Sequence, residues 1–225
     1  MRAIPLTQNL IQLTKLRMMN AYLVREDDGF TLVDTTMGAA DDLIAAAAAA
    51  GGDIKRIVLT HCHGDHIGSV DALRAKLGPG VPVLMPSIDA GILAGEAVLP
   101  PAKKRGSWPT VKTKPDSTFA GGDVIGSLNV VDCPGHTPGQ VAFFDSRDRS
   151  LIAGDAFSSL GGLAVPSRAH LRFPLPWYAT CNRPQALVSA RALRALEPSL
   201  LVVGHGRALV APMAAMDQAI TVAAG

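Results

Sequence analysis

No apolar run in this chain of 225 residues reaches the roughly 20 residues that a membrane-spanning helix needs. Charge of one sign is also lacking. Lys plus Arg number 21 against 19 Asp plus Glu, a net +2, and so small a surplus does not announce a nucleic-acid binder. Cysteine is scarce. Cys62, Cys133 and Cys181 are odd in number, far apart and free of any C-x-x-C spacing, which argues against a disulfide framework and suits a reducing compartment. The N-terminal segment holds no continuous apolar stretch ahead of a small-residue cleavage site, because Gln8, Asn9, Gln12, Lys15 and Arg17 interrupt it. No signal peptide is read, and a cytoplasmic location is expected.

What is present points to a folded, turn-rich domain. Hydrophobic residues make up 48% and charged residues 18%, which rules out a disordered chain. The length suffices to bury a core without staples. The 22 glycines and 16 prolines foretell many turns. Residues 1–225 are read as a single domain.

The pattern is strands then helices, repeated in two halves. Ala21 to Val24 and Phe30 to Asp34 read as strands around an Asp27-Asp28-Gly29 turn. Ala39 to Ala50 reads as a helix on propensity, ended by Gly51-Gly52. A strand is expected over Ile54 to Thr60, a helix over Ser69 to Leu77, a strand over Val81 to Met85 and a helix over Ser87 to Ala97. Pro100 to Thr118, with Lys103, Lys104, Arg105, Lys112, Lys114 and Trp108, is expected to be a surface excursion: a solvated basic loop, or else a lid over substrate. Strands follow at Asp123 to Asp132 (a pair turning at Gly126), Val141 to Asp145, Ser150 to Ala153 and Leu200 to Val203. Phe157 to Asn182 is expected to be irregular. Helices are expected over Pro184 to Leu196, capped by Asn182, and over Pro212 to Ala223.

Five of the six histidines stand just past the C-terminal ends of expected apolar strands. His61, His63 and His66 lie in Thr60-His-Cys-His-Gly-Asp-His66, His136 in Cys133-Pro-Gly-His-Thr-Pro-Gly139, and His205 between Gly204 and Gly206. Asp155 follows Leu151-Ile-Ala-Gly154. If these strands share an orientation, the groups converge. His61 and His63 are two apart on extended chain, so their rings face one side. Gly64 then permits a tight turn, and Asp65 and His66 can face a second centre. Imidazole and carboxylate are the usual ligands of zinc and of other borderline divalent ions. His61, His63 and His136 are assigned to one ion, Asp65, His66 and His205 to another, and Asp155 to a bridge between them. The cofactor expected is two divalent metal ions, zinc first, with iron or manganese as alternatives. Two dications, two carboxylates and a hydroxide leave a centre of net charge about +1, able to accept a developing oxyanion. Asp65 is also the expected proton acceptor or relay.

These residues resemble the metallo-β-lactamase superfamily. Its H-x-H-x-D-H signature is matched by His61, His63, Asp65 and His66, and its later His, Asp and His positions by His136, Asp155 and His205. Phe30-Thr-Leu-Val-Asp34-Thr is similar to the family's early strand, and Asp34 is read as a supporting residue rather than a ligand. The resemblance implies an α+β fold, an αββα sandwich of two mixed β-sheets with helices on the outer faces and metals at one sheet edge. It implies a hydrolase in which a metal-bridging hydroxide attacks an ester, thioester or lactone.

Within the family, Asp155 and the lack of an export signal disfavour β-lactam hydrolysis. The short chain and balanced charge leave little room for a nuclease arm. The retained His63 separates it from flavodiiron-like members. The ligand set looks most like glyoxalase II and the acyl-homoserine lactonases. Two departures stand out. Only 20 residues follow His205, where glyoxalase II has a helical extension for glutathione. The lactonases' tyrosine after the bridging Asp is replaced here by Ala156-Phe-Ser-Ser159. Tyr178, the only later tyrosine, and His170 are the candidate substrate contacts, against core or rim packing for the one and a solvated loop for the other, and Trp177 is a candidate apolar wall or core residue. The alternative activity is that of a persulfide dioxygenase with one iron held by two His and one Asp. The expected partner is a small-molecule substrate, with no nucleic acid and no membrane; oligomeric state is silent.

Overall fold

Two sheets meet face to face in the computed structural model, which describes residues 1–97 and 108–225. The first has seven strands in chain order: β1 (Arg2–Pro5), β2 (Leu10–Lys15), β3 (Met19–Glu26), β4 (Gly29–Val33), β5 (Ile54–Val58), β6 (Val83–Pro86) and β7 (Ser117–Phe119). Its first four strands are antiparallel, and β4 to β7 run parallel. The second sheet has six strands: β8 (Val124–Ile125), β9 (Leu128–Asp132), β10 (Val141–Asp145), β11 (Ser150–Ile152), β12 (Leu200–Val202) and β13 (Leu209–Val210). Its neighbours are antiparallel except β11 and β12. Both sheets are therefore mixed.

The period of two along each strand divides the apolar residues into layers. Tyr22 and Val24 of β3, Val33, Val58, Val141, Phe143, Ile152, Leu200 and Val202 fill the space between the sheets. Their sequence neighbours Ala21, Leu23, Leu32 and Ile57 turn outward, onto α1 (Ala40–Ala49), α2 (Gly64–Ile67), α3 (Val70–Leu77) and α4 (Ser87–Leu93) through Leu43, Ala47, Ile67, Leu73 and Ala90. On the second sheet Ala142, Leu151, Leu201 and Val203 turn outward onto α6 (Arg183–Ala195) and α7 (Met213–Ala224), through Ala190, Leu193, Met216 and Ala219. Three apolar layers between four layers of structure make the αββα sandwich. Each fully buried Leu, Val or Phe contributes about 1.5–3 kcal/mol.

Most expected elements are present with ends moved by a few residues. The N-cap at Asn182 is confirmed: its side chain accepts from Gln185 N at 3.3 Å. Four differences are physical. The first fifteen residues, given no element from the sequence, form the β1–β2 hairpin; polar Gln12 and Thr14 of β2 bond to Asn20. Short β7 and β13 were also not foreseen. Phe157 to Asn182 contains a five-residue helix, α5 (Leu175–Ala179). In the 100–118 excursion, residues 100–107 lie outside the described residues, and the remainder is not a free solvated loop. Trp108 and Val111 pack on the first-sheet core, and the amides of Lys112 and Thr113 donate to Asp71 at 2.8–3.1 Å. Among the described residues, no helix is long and apolar enough to cross a membrane.

Candidate metal centre

The C-terminal ends of β5, β9, β11 and β12 bring the chemistry together. β11 and β12 are parallel, with Leu151 opposite Leu201 and Ile152 opposite Val202, so the turns that follow them lie side by side. Gly204 N donates to Gly154 O at 2.8 Å and fixes Asp155 beside His205. Across the sandwich, Val141 N donates to Thr60 O at 2.9 Å, which sets the β5 end against the second sheet. The backbone of Asn20 in β3 donates to Gly204 O at 2.9 Å, and its side chain donates to Val203 O and Gly206 O, each at 2.8 Å. Gly204 is a close-approach position: a Cβ there would overlap Asp155 Oδ1 and lie 2.6 Å from His66 Cε1.

All seven residues singled out as ligands converge. Ligand atoms of His61, His63 and His136 lie within 4.8 Å of one another, as do those of Asp65, His66 and His205. Asp155 lies between the two groups. Its Oδ2 is 3.4 Å from His136 Nε2 and 3.3 Å from His205 Nε2, and its Oδ1 is 3.4 Å from His66 Nε2.

The second nitrogen of four rings is fixed by the protein. His66 Nδ1 faces Asp34 Oδ2 at 2.8 Å, and His205 Nδ1 faces the Met18 carbonyl at 3.0 Å. The Thr180 hydroxyl donates to Pro176 O at 2.6 Å, so it accepts from His136 Nδ1 at 2.9 Å. Likewise the Thr60 hydroxyl donates to Asp34 Oδ2 at 2.8 Å and accepts from His61 Nδ1 at 3.0 Å. Each of these four rings thus turns Nε2 inward. His63 differs: its Nδ1 is turned inward, 3.0 Å from His136 Nε2.

The electrostatics divide the histidines in two. Burial, then the neighbouring imidazoles, holds His61 well below its ordinary value. Burial and His136 hold His63 at about 3, and burial holds His136 at about 4. These rings are neutral donors at physiological pH. For His205, burial opposes the charge, but Asp155 and Asp65 outweigh it and raise the ring to about 10. For His66, burial is likewise outweighed, by Asp34, Asp155 and Asp65. Burial opposes ionisation of Asp155 and Asp65 too, yet the facing histidines keep both carboxyls below the usual range.

A divalent cation fits this donor set. Buried His61 Nε2, His66 Nε2 and Asp155 Oδ1 have no hydrogen-bond partner among the described residues, and buried polar atoms without partners are costly. The inward nitrogens of His63 and His136 stand in contact with nothing between them to share but one proton. Imidazole and carboxylate donors at this spacing are what zinc, iron or manganese accept.

Asp34 is not in the ligand groups; it orients His66, and it adopts φ +60° to do so. Cys62 is fully buried with the first-sheet core and points away from the cluster, a small filler as expected. Tyr178 and His170 are not brought to the centre. Tyr178 is 64% exposed, and neither residue lines the cavity over the cluster. Trp177 is absent from that cavity too; Arg183 stacks on it at 4.0 Å. Trp177 and Tyr178 are carried on α5, and His170 precedes it. The cavity walls are Met18, Met19, Phe173, Leu175 and Pro176, none of which the sequence signalled. Phe173 packs edge-on against His205 at 5.3 Å, and Trp108 against His63 at 5.4 Å. Sequence reasoning also missed Asp89 of α4. Its buried carboxylate accepts from Cys62 N at 3.1 Å, the Thr137 hydroxyl at 2.8 Å and Gly139 N at 2.7 Å. It ties the His61–His63 segment to the His136 turn.

Comparison with known proteins agrees with this geometry. A sequence model of the Metallo-beta-lactamase superfamily matches residues 15–205. The uncharacterized protein YobT of Bacillus subtilis (strain 168) is 41% identical over 208 residues, covering 90% of this chain and 89% of that protein. A hydroxyacylglutathione hydrolase of Acidiphilium cryptum (strain JF-5) is 30% identical over 190 residues, covering 82% of this chain but only 63% of the enzyme. A metallo-beta-lactamase from Pontibacter korlensis shares the fold, with a TM-score of 0.74 at 20% identity, covering 100% of this chain and 99% of that one.

Proposed function

Because this chain belongs to the metallo-β-lactamase superfamily, we propose that it is a metal-dependent hydrolase of esters, thioesters or lactones, holding two divalent cations, zinc foremost. The observation that carries this reading is the convergence of five imidazoles and two carboxylates on one point, with Nε2 of His61 and His66 and Oδ1 of Asp155 left without other partners. His61, His63 and His136 would hold one cation, Asp65, His66 and His205 the other, and Asp155 would bridge. When bound, such a pair acidifies a water molecule toward neutrality and polarises a carbonyl oxygen.

The chain's own residues do the rest. Asp34, Thr60, Thr180 and the Met18 carbonyl lock the imidazole tautomers, so the donors need no reorganisation. Asp65 is the most exposed of the carboxylates, at 33%. It stands at the cavity mouth, where it can take a proton from water and pass it to solvent. Met18, Phe173, Leu175 and Pro176 offer an apolar wall to an acyl group and exclude bulk water. The relative from Acidiphilium cryptum supports thioester chemistry. Its unmatched 37% of length keeps a glutathione preference out of the proposal.

The competing iron oxidoreductase needs one ion on two His and one Asp, which leaves four of the seven donors without a task. Metal content decides between them: two zinc ions per chain support hydrolysis, and one iron with oxygen uptake would replace it. Chelator-stripped protein should lose 4-nitrophenyl acetate hydrolysis and regain it with divalent metal. Hydrolysis that persists without metal would overturn the reading.

A further inference from the structure

A second, larger cleft of about 1010 Å³ adjoins the cavity over the histidines. Arg2, Arg17, Arg172 and Arg207 line it, and no Asp or Glu does. In a chain with 21 basic and 19 acidic residues, four cations without one carboxylate is a local excess of one sign. None of the four makes an ion pair among the described residues; Arg172 donates to Gly161 O at 3.3 Å, and no carboxylate neutralises the group. Gly206, at φ +114°, forms part of the wall. A Cβ there would overlap Ser159 Oγ and lie 2.6 Å from Leu160 N, so the wall depends on glycine.

The cleft and the cavity share a rim at three points along the chain. Arg17 faces the cleft and the next residue, Met18, the cavity. Arg172 faces the cleft and Phe173 the cavity. His205 faces the cavity, and Gly206 and Arg207 the cleft. Consecutive Cα atoms are about 3.8 Å apart. The residues that line the cleft are thus chain neighbours of those that line the cavity, so one extended ligand can lie across the shared rim. Guanidinium groups pair with phosphate and carboxylate through forked, charge-assisted hydrogen bonds, and a cleft of this size holds a nucleotide-sized group.

We propose that this arginine cleft binds a multiply charged anionic extension of the substrate, phosphate or carboxylate in nature, so that the enzyme acts on polyanionic esters or thioesters. The substrate assignment rests on the hydrolase reading; the anion site itself does not. The test titrates the protein calorimetrically with ADP and with citrate, both metal-loaded and chelator-stripped, and compares the Arg17→Gln/Arg172→Gln/Arg207→Gln variant. At least one anion should bind the stripped wild type, with affinity at least tenfold weaker in the variant and in 0.2 M NaCl. Tighter ADP assigns phosphate, and tighter citrate assigns carboxylate. Equal binding by wild type and variant, or no binding of either anion, overturns the cleft. In parallel, wild-type kcat/KM should favour a succinate half-ester of 4-nitrophenol over 4-nitrophenyl acetate by tenfold or more, an advantage lost in the variant. Arginine-dependent anion binding without any ester turnover would strike down the hydrolase reading and leave the anion site standing. Turnover without arginine-dependent binding does the reverse.

Discussion

Oδ2 of Asp34 lies 2.8 Å from Nδ1 of His66, and the same oxygen accepts the Thr60 hydroxyl at 2.8 Å while Oδ1 accepts Thr60 N at 2.8 Å. One carboxylate thus orients His66 directly and His61 through Thr60. Asp34→Asn tolerates the left-handed backbone but replaces one acceptor oxygen by a donor amide. Metal affinity, read by competition with a chromophoric chelator, should fall about 10–100-fold. The fold should persist by circular dichroism. Unchanged affinity would remove Asp34 from the orienting role.

Gly204→Ala places a methyl group on Asp155 Oδ1 and against His66. Overpacking of this kind costs about 1–3 kcal/mol, but the larger effect is expected on the ions. The zinc-equilibrated variant should retain no more than half the wild-type metal by plasma mass spectrometry, and its ester kcat should fall over 100-fold. Full metal content in the variant would show that Asp155 is not the bridge.

Asp89 predicts a pH signature. Burial pushes its carboxyl up to about 6, against the lowering effect of the Thr137 hydroxyl and the Gly139 and Cys62 amides. In the unfolded chain an Asp titrates near ~3.9. The folded state therefore binds the proton more tightly, so the Asp89 contribution to stability falls as pH rises from about 4 to about 6 and levels off above. Two pKa units correspond to about 3 kcal/mol. The lowered His63 and His136 contribute the opposite slope in chelated protein, so the readout is the stability of the wild type minus that of Asp89→Asn by urea unfolding, which should fall by about 3 kcal/mol across that window. A difference that stays constant from about pH 4 to about pH 6 would refute the assignment.

Substrate contact is expected at the α5 end of the cavity, through Leu175 rather than Tyr178. Leu175→Ser should raise KM several-fold for esters of apolar acids, with stability within about 0.5 kcal/mol of wild type, as usual for an exposed site. Tyr178→Phe should leave kcat/KM within twofold. A tenfold loss in the tyrosine variant would show that its hydroxyl reaches the carbonyl after all.

The residues that converge in the candidate centre were legible because their signals are local. His61 to His66 is a short motif on one turn, and His136, Asp155 and His205 each follow a recognisable apolar strand beside a glycine. The strands themselves announced their layers through alternation, as Ala21, Tyr22, Leu23 and Val24 show. What stayed hidden depends on distant partners. The β2 strand breaks its apolar pattern at Gln12 because that side chain bonds to Asn20 Oδ1 and to Gly206 O, 194 residues away. Asp89 looks like an ordinary acidic residue in the first turn of a helix until the His136 turn is laid over it. Phe173 and the four cleft arginines carry no motif, and only the meeting of the two sheets gives them a common edge.

That meeting sets an order on biosynthesis. His61, His63, Asp65 and His66 follow β5 of the first sheet, whereas His136, Asp155 and His205 follow strands of the second. A nascent polypeptide emerging from the ribosome can shape its early trio of rings, but no trio within 4.8 Å is complete before His136 is translated; His61, His66 and Asp155 complete another once Asp155 is out, and Asp65, His66 and His205 complete the last. Each of these three donor groups thus draws on both sheets, so the proposed ions would find a complete site only after the sheets have docked.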